Sequence, residues 1–169
     1  KLDTETLTEF QDIHHKIMPK RTNWFQKKSI YSNLENNELL EPILKKTFSL
    51  LNEQQLEQNI HFDPSSTKIE FHQRNCSYCE KNKGKNKFTW HYDDYAAVPY
   101  ETYTVIFYIR KDITVRGGNL EYKLQGLKYE NEIKEGDCLI FRGDLYHCPQ
   151  PSWGFGCRDV IVGFVKRNH

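Results

Sequence analysis

The sequence predicts an α+β fold that is mainly β, with N-terminal helices packed on one sheet of a sandwich or jelly roll. Apolar residues recur with helical spacing only within the first 60 residues, whereas short alternating or apolar runs separated by turn residues follow. Aromatic residues make up 14% of the chain, which suits a β-rich core. With 169 residues we expect one domain, residues 1–169, in which residues 1–60 form the helical support and 65–169 the β core.

Two amphipathic helices are predicted in the helical support. The first has apolar residues at three- and four-residue steps after the candidate caps Asp3 and Thr4: Leu7, Phe10, Ile13 and Ile17. The second runs from residue 37 to about residue 58, with Leu and Ile on one face and Lys and Glu on the other. Residues 19–36 are polar with scattered aromatics, so we expect a loop between the helices.

Six strands are predicted in the β core, where apolar runs alternate with Gly, Asn, Asp and Pro. They are residues 68–74, 103–110, 119–123, 137–141, 146–148 and 159–166. Gly117 and Gly118 supply the positive φ angles of a tight turn between two of these strands, a scaffold role.

Composition narrows the function classes. Lys and Arg total 24 against 23 Asp and Glu, so the chain as a whole does not attract nucleic acid, and such a partner is not expected. No apolar run is long enough to span a bilayer, and the first residues lack the apolar core of a signal peptide. Five Cys without a secreted-domain spacing favour free thiols, so we expect an intracellular, cytoplasmic protein. The oligomeric state is left open.

A metal site is predicted from three side chains. His91 and Asp93 are two residues apart, so on an extended strand they project from the same face, and His147 follows 56 residues later behind an apolar run. Two His and one carboxylate occupy one face of an octahedral Fe(II) and leave three positions open. The alternatives are that these are ordinary surface or hydrogen-bonded residues, or that a cupin-like module binds a metal without oxygen chemistry.

A candidate anion-binding residue, Arg158, opens the last predicted strand eleven residues after His147. A guanidinium that enters an apolar barrel needs an anionic partner, and its planar fork matches a carboxylate in two-point contact. The alternative is an ion pair with Asp or Glu at the end of a strand.

The segment from residue 88 to residue 165 resembles the double-stranded β-helix core of the 2-oxoglutarate- and Fe(II)-dependent oxygenases, in particular the prolyl-hydroxylase-like branch. The resemblance covers somewhat under half of the chain. Its pieces, in the family's order, are His91-Tyr92-Asp93, Thr104 to Ile109, Gly117-Gly118-Asn119-Leu120, Gly136 to Phe141, His147, and Arg158-Asp159-Val160-Ile161.

The resemblance implies that His91, Asp93 and His147 bind the Fe(II) at which catalysis takes place, and that Arg158 anchors the distal carboxylate of 2-oxoglutarate. Dioxygen would be the cosubstrate, succinate and CO2 products, and ascorbate a candidate reductant. The implied reaction hydroxylates a protein or peptide side chain, while the same core also serves free amino acids and other small molecules. A nucleic-acid demethylase usually has a second Arg six residues after the first, where this chain has Phe164.

One position departs from the family's pattern. Much of this branch carries a Tyr that contacts 2-oxoglutarate, and a spacing count from His91 places Phe107 there. Tyr108, one residue on, is then expected to face the other way. We expect Phe107 to line the 2-oxoglutarate pocket, with His72 as a candidate polar substitute.

Cys76 and Cys79 have the spacing of half a structural zinc site, with His72 or His61 as a third ligand. Because there is no second Cys-x-x-Cys pair, a loop that carries two free thiols is the alternative.

Overall fold

The computed structural model of the protein describes residues 1–18, 26–32, 34–54, 64–75, 89–93 and 102–166. In chain order the elements are α1 (Thr4–Ile17), β1 (Gln26–Tyr31), α2 (Glu41–Glu53), a 3₁₀ turn (Pro64–Ser66), β2 (Thr67–Asn75), β3 (Thr102–Lys111), β4 (Val115–Gly117), β5 (Leu120–Leu124), β6 (Leu127–Asn131), β7 (Cys138–Arg142), β8 (Tyr146–Pro149), β9 (Ser152–Gly154) and β10 (Cys157–Lys166).

Both predicted helices are present. The first begins after Asp3, whose carboxylate accepts a hydrogen bond from the Thr6 amide and so satisfies a donor that the helix leaves unpaired. The second begins at Glu41 rather than at residue 37, because residues 38–40 form turns and Pro42 is suited to the first helical turn. It ends at Glu53, earlier than predicted. Of the helices described, none is long and apolar enough to cross a membrane.

A five-stranded antiparallel sheet organises the molecule, in the strand order β1-β2-β10-β3-β7. Side chains alternate between its two faces. One face packs against both helices, with Phe71, Phe107 and Ile161 fully buried beneath Phe10 and Ile43. The expected packing of the N-terminal helices on one sheet is therefore confirmed. The opposite face forms the floor of a pocket.

The six predicted strands are present, with each end within two residues of its expected position. Four short strands were not predicted: β1, β4, β6 and β9. The expectation of a loop throughout residues 19–36 is wrong for β1, which pairs with β2 along its whole length. Pairing with β2 brings Tyr31 edge-on against Phe71 and places Lys28 beside Glu70, and these distant contacts outweigh the weak local pattern.

A second, three-stranded antiparallel sheet has the order β6-β5-β8, and β4 and β9 form a separate pair. Residues 89–93 lie next to β8, where His91 makes an isolated bridge with His147. Gly117 and Gly118 have φ angles of 71° and 73°, as the predicted turn requires.

Candidate metal centre and its pocket

Three ligand-type side chains from two separate segments converge beside the five-stranded sheet. The ligand atoms of His91, Asp93 and His147 all lie within 4.8 Å of one another. The Nε2 atoms of the two histidines are 3.5 Å and 3.6 Å from the same carboxylate oxygen, Oδ1 of Asp93. The structure therefore brings together the three residues that the sequence predicts as metal ligands.

Backbone pairing fixes the two segments relative to each other. The amide of His91 donates to the carbonyl of His147 at 3.0 Å, and the amide of His147 returns a hydrogen bond at 3.1 Å. The amide of Asp93 donates to the carbonyl of Gly143 at 2.9 Å, just before β8. Because side chains alternate along an extended segment, His91 and Asp93 face the pocket together while Tyr92 points away.

Aromatic side chains support the ligand segment from its outer side. The rings of Trp90 and Tyr92 lie 5.3 Å and 4.8 Å from the ring of Tyr146, the residue before His147. The ammonium group of Lys123 lies over both Trp90 and Tyr146. This cluster holds residues 90–92 against β8, where the backbone offers only an isolated bridge.

Hydrogen bonds on the far side of each imidazole fix the orientation of the two histidines. Nδ1 of His91 donates to the carbonyl of Thr89, and Nδ1 of His147 donates to that of Leu145, each at 2.8 Å. Both Nε2 atoms are then left with a lone pair facing Asp93, which is the arrangement of metal-binding histidines. Burial lowers the pKa of His147, and the nearby charge of Asp93 opposes the change. A neutral imidazole is the form that binds a metal.

The carboxylate of Asp93 is held by a residue that the sequence did not single out. The hydroxyl of Thr104, on β3, donates to Oδ2 of Asp93 at 2.6 Å. One carboxylate oxygen is thereby occupied, and the other is turned towards the two histidines. The donor set of two imidazoles and one oriented carboxylate fits a divalent transition metal with open coordination positions.

Arg158 lies in the same pocket as the three candidate ligands. Its side chain is only 7% exposed, yet Nε has no hydrogen-bond partner among the described residues and Nη1 reaches only the hydroxyl of Ser152, at 3.3 Å. A buried guanidinium with an unused donor needs an anion. The geometry thus fits a carboxylate bound at this end of the pocket.

The prediction about Phe107 and Tyr108 is wrong, because Tyr108 and not Phe107 lies on the face of β3 that lines the pocket. Phe107 is fully buried in the core on the helix side, where its ring meets Phe10 edge-on with centroids 5.1 Å apart. Tyr108 lines the pocket, with its ring centroid 5.5 Å from the guanidinium carbon of Arg158. Burial raises the pKa of Tyr108 and the charge of Arg158 opposes the rise. A protonated phenol is a hydrogen-bond donor beside the guanidinium.

The alternation of residues within β3 could have revealed this. Thr102, Thr104 and Tyr108 share one face of β3, whereas Val105, Phe107 and Ile109 form an apolar run on the other. A count from His91 starts outside β3, so it does not say which residues share a face of that strand.

His72 also lines the pocket, but its side chain is engaged elsewhere: its Nε2 lies 2.9 Å from Oε2 of Glu70. Burial lowers the pKa of His72, and the hydrogen bond with Glu70 opposes this effect. Cys76, Cys79 and His61, the remaining members of the predicted zinc site, lie outside the described residues.

The pocket as a whole has a volume of about 560 Å³ and connects the candidate metal ligands with Arg158 and Tyr108. This volume is within the usual range of small-molecule sites. Its floor is the face of β1, β2, β10 and β3 that points away from the helices. The strands that pack against the helices on one face therefore carry the pocket residues on the other.

The architecture is shared with solved oxygenase structures. The chain is similar to a prolyl-4-hydroxylase from Pseudomonas putida, with 13% identity, a TM-score of 0.67, and coverage of 99% of this chain and 89% of the other. It is similar to a 2OG-Fe(II) oxygenase family oxidoreductase from Burkholderia pseudomallei, with 13% identity, a TM-score of 0.72, and coverage of 99% and 80%. It is also similar to HygX from Streptomyces hygroscopicus, solved with nickel and 2-oxoglutarate bound, with 9% identity, a TM-score of 0.65, and coverage of 97% and 79%.

No protein-family model matches the sequence, and no curated protein matches it. The fold and the site together define a class: a mainly antiparallel β protein with the fold of 2-oxoglutarate oxygenases and a two-His, one-Asp cluster in its pocket.

Proposed function

We propose that this chain is a single-domain Fe(II)- and 2-oxoglutarate-dependent dioxygenase with a double-stranded β-helix (jelly-roll) core, and that it hydroxylates a protein or peptide side chain. The observation that carries the proposal is that one pocket contains both the cluster of His91, Asp93 and His147 and the buried, incompletely bonded Arg158. A metal-binding module without oxygen chemistry has no need of that arginine.

In this proposal His91, Asp93 and His147 bind the Fe(II) and Thr104 keeps the carboxylate correctly turned. Arg158 and Tyr108 donate hydrogen bonds to the distal carboxylate of 2-oxoglutarate. Bound together, the metal and 2-oxoglutarate supply oxidation by dioxygen coupled to decarboxylation, with succinate and CO2 as products. The protein contributes by fixing the ligand set and by holding the target C–H bond close to it.

The choice of a peptide substrate is supported by the prolyl-4-hydroxylases among the similar structures. A second candidate, a hydroxylase of a free amino acid or another small molecule, is favoured by the volume of the pocket, about 560 Å³, which suits a small ligand. Both candidates use the same metal and the same cosubstrate.

The test is anaerobic titration of 2-oxoglutarate into the Fe(II)-loaded protein, followed through the visible metal-to-ligand absorption band. Arg158→Ala removes a charge-assisted contact of about 1.5–3 kcal/mol, so the Kd for 2-oxoglutarate should rise by about 10- to 150-fold. Arg116→Ala is the matched control, because Arg116 is exposed on β4 and donates to the carbonyl of Ile113.

Wild type that develops no band, or an Arg158→Ala variant that titrates like wild type, would contradict the assignment. His147→Ala should lose the band altogether, and a retained band would remove His147 from the ligand set.

A further inference from the structure

Two directions lead away from the candidate metal centre across the pocket floor. One follows β3 from Thr104 past Ile106 to Tyr108, towards Arg158. The other crosses neighbouring strands, because Thr104 is paired with Phe164 on β10 and Phe164 is paired with Lys68 on β2. In the proposed function 2-oxoglutarate binds along the first direction, between the metal and Arg158. The part of the pocket along the second direction is therefore available to the substrate.

We call this second region the substrate arm and define it as Val162, Phe164, Lys68, Glu70 and Lys28, all of which line the pocket. Its inner strip, on β10, is apolar. Its outer strip, on β2 and β1, is charged, and the ammonium group of Lys68 lies 4.6 Å from the centroid of the Phe164 ring. A hydrocarbon segment therefore fits next to the metal, and a charged group fits further out.

Glu70 is already fully engaged within the outer strip. Its Oε2 lies 2.7 Å from Nζ of Lys28 and 2.9 Å from Nε2 of His72, and its Oε1 lies 3.0 Å from Nζ of Lys68. Burial raises the pKa of Glu70, but the hydrogen bonds from His72, Lys28 and Lys68 together lower it to about 2. Glu70 is thus a fixed anion that holds two ammonium groups in place rather than a free acceptor for a ligand.

The lysines retain binding capacity. Each ammonium group has three N–H donors, and the ion pair with Glu70 uses one of them. Both lysine side chains are 41% exposed, and two positive charges face one negative charge across this strip. Lys166 lines the pocket on β10, beyond Phe164, and adds to the positive side. An ammonium-bearing ligand would be repelled here, whereas an anion would complete the arrangement.

We infer that the substrate carries a carboxylate or phosphate group that binds Lys68 and Lys28, which lie on the strands two and three spacings from β3, roughly 10–15 Å across the sheet. The inference rests on the proposed function. The anionic group belongs either to a free organic acid or to an acidic side chain of a peptide. A network with a purely structural role would give no preference among ligands of equal size and different charge.

The experiment uses the protein loaded with Ni(II) and 2-oxoglutarate, so that binding is measured without turnover. The affinity for 2-oxoglutarate is measured first. Heptanoate, hexyl phosphate and the neutral control heptanamide are then titrated and followed by calorimetry. Wild type should bind at least one of the two anions at least about tenfold more tightly than the amide.

Lys28→Gln combined with Lys68→Gln should abolish this preference while the affinity for 2-oxoglutarate stays unchanged. Lys68→Gln alone should reduce the preference in part, which covers the case in which the double variant does not fold. Lys128→Gln is the matched control, because Lys128 pairs with Glu121 in the three-stranded sheet, and it should behave as wild type.

Equal affinity for anions and amide, or no binding of any probe, would overturn the inference while leaving the proposed function standing. Failure of wild type to bind 2-oxoglutarate would instead overturn the proposed function. A blocked peptide with one glutamate, compared with its glutamine counterpart, then identifies the source: a preference for the glutamate peptide indicates a peptide substrate, and a preference confined to the free acids indicates a small molecule.

Discussion

Replacing Glu70 by Gln should destabilise the fold in a pH-dependent manner. The pKa of Glu70 is lowered from 4.5 to about 2. One pKa unit corresponds to about 1.4 kcal/mol, so the ionised carboxylate stabilises the folded state by about 3 kcal/mol. Because both lysine partners are 41% exposed, solvent screening reduces the expected loss to about 2–3 kcal/mol at pH 7.

The sign of the pH dependence follows from the direction of the shift. A carboxylate whose pKa is lower in the folded state contributes its full stability above the unfolded value of 4.5 and loses it as the pH falls towards 2. At pH 3 less than half of the contribution should remain. The difference in free energy of unfolding between wild type and Glu70→Gln should therefore shrink between pH 7 and pH 3.

Urea denaturation of both proteins at the two pH values, in the presence of a chelator, measures this difference. The control is Glu41→Gln, which removes an exposed helical pair with Lys45 and should cost no more than about 0.5 kcal/mol at either pH. A Glu70→Gln difference that is equally large at pH 3 and pH 7, or no larger than that of the control, would refute the reasoning.

Two further predictions concern residues that position the site. Thr104→Val removes the hydrogen bond to Asp93, so metal affinity should fall by about 10- to 100-fold, as a Ni(II) competition titration would measure; an unchanged affinity would show that the hydroxyl does not orient the ligand. Gly118→Ala would place a methyl group 2.5 Å from Oγ of Ser152 and 3.1 Å from Cδ of Arg158, at a φ of 73°. It should lower both thermal stability and 2-oxoglutarate affinity, and a loss of stability alone would mean that Arg158 is unaffected.

The sequence predicted that His91 and Asp93 share a face, and it predicted the main strands, because both depend on short-range pattern. His91 and Asp93 share a face through two-residue alternation, and the strands that carry the core have unbroken apolar or alternating runs. The spacing between His91 and His147 has no such local signature. Their convergence depends on contacts between chain-distant segments, the bridge between His91 and His147 among them, and only the order of the surrounding motifs indicated it.

The charged residues on one face of β2 show that the alternation of side chains predicts which residues share a face but not what that face does. Lys68, Glu70, His72 and Arg74 all have the same parity along β2, opposite to the apolar Ile69 and Phe71, so alternation alone predicts that they share one face. Their role does not follow from alternation, because an exposed strand face has the same pattern. The position of Lys28 beside this strip could not be predicted, because its partner Glu70 is 42 residues away and the sequence pattern of β1 predicts a loop.

The position of Arg158 depends on the Gly117-Gly118 turn, for which the sequence predicts only a structural role. Gly118 lies directly against the Arg158 side chain and Ser152, and only a residue without a Cβ leaves room for the guanidinium to extend past Ser152 into the pocket. The Gly117-Gly118 pair therefore has two physical requirements, the positive φ angles of the turn and the free space beside the arginine. A residue such as Asn can meet the first requirement but not the second, so the glycine at position 118 is constrained by the carboxylate site as much as by the chain reversal.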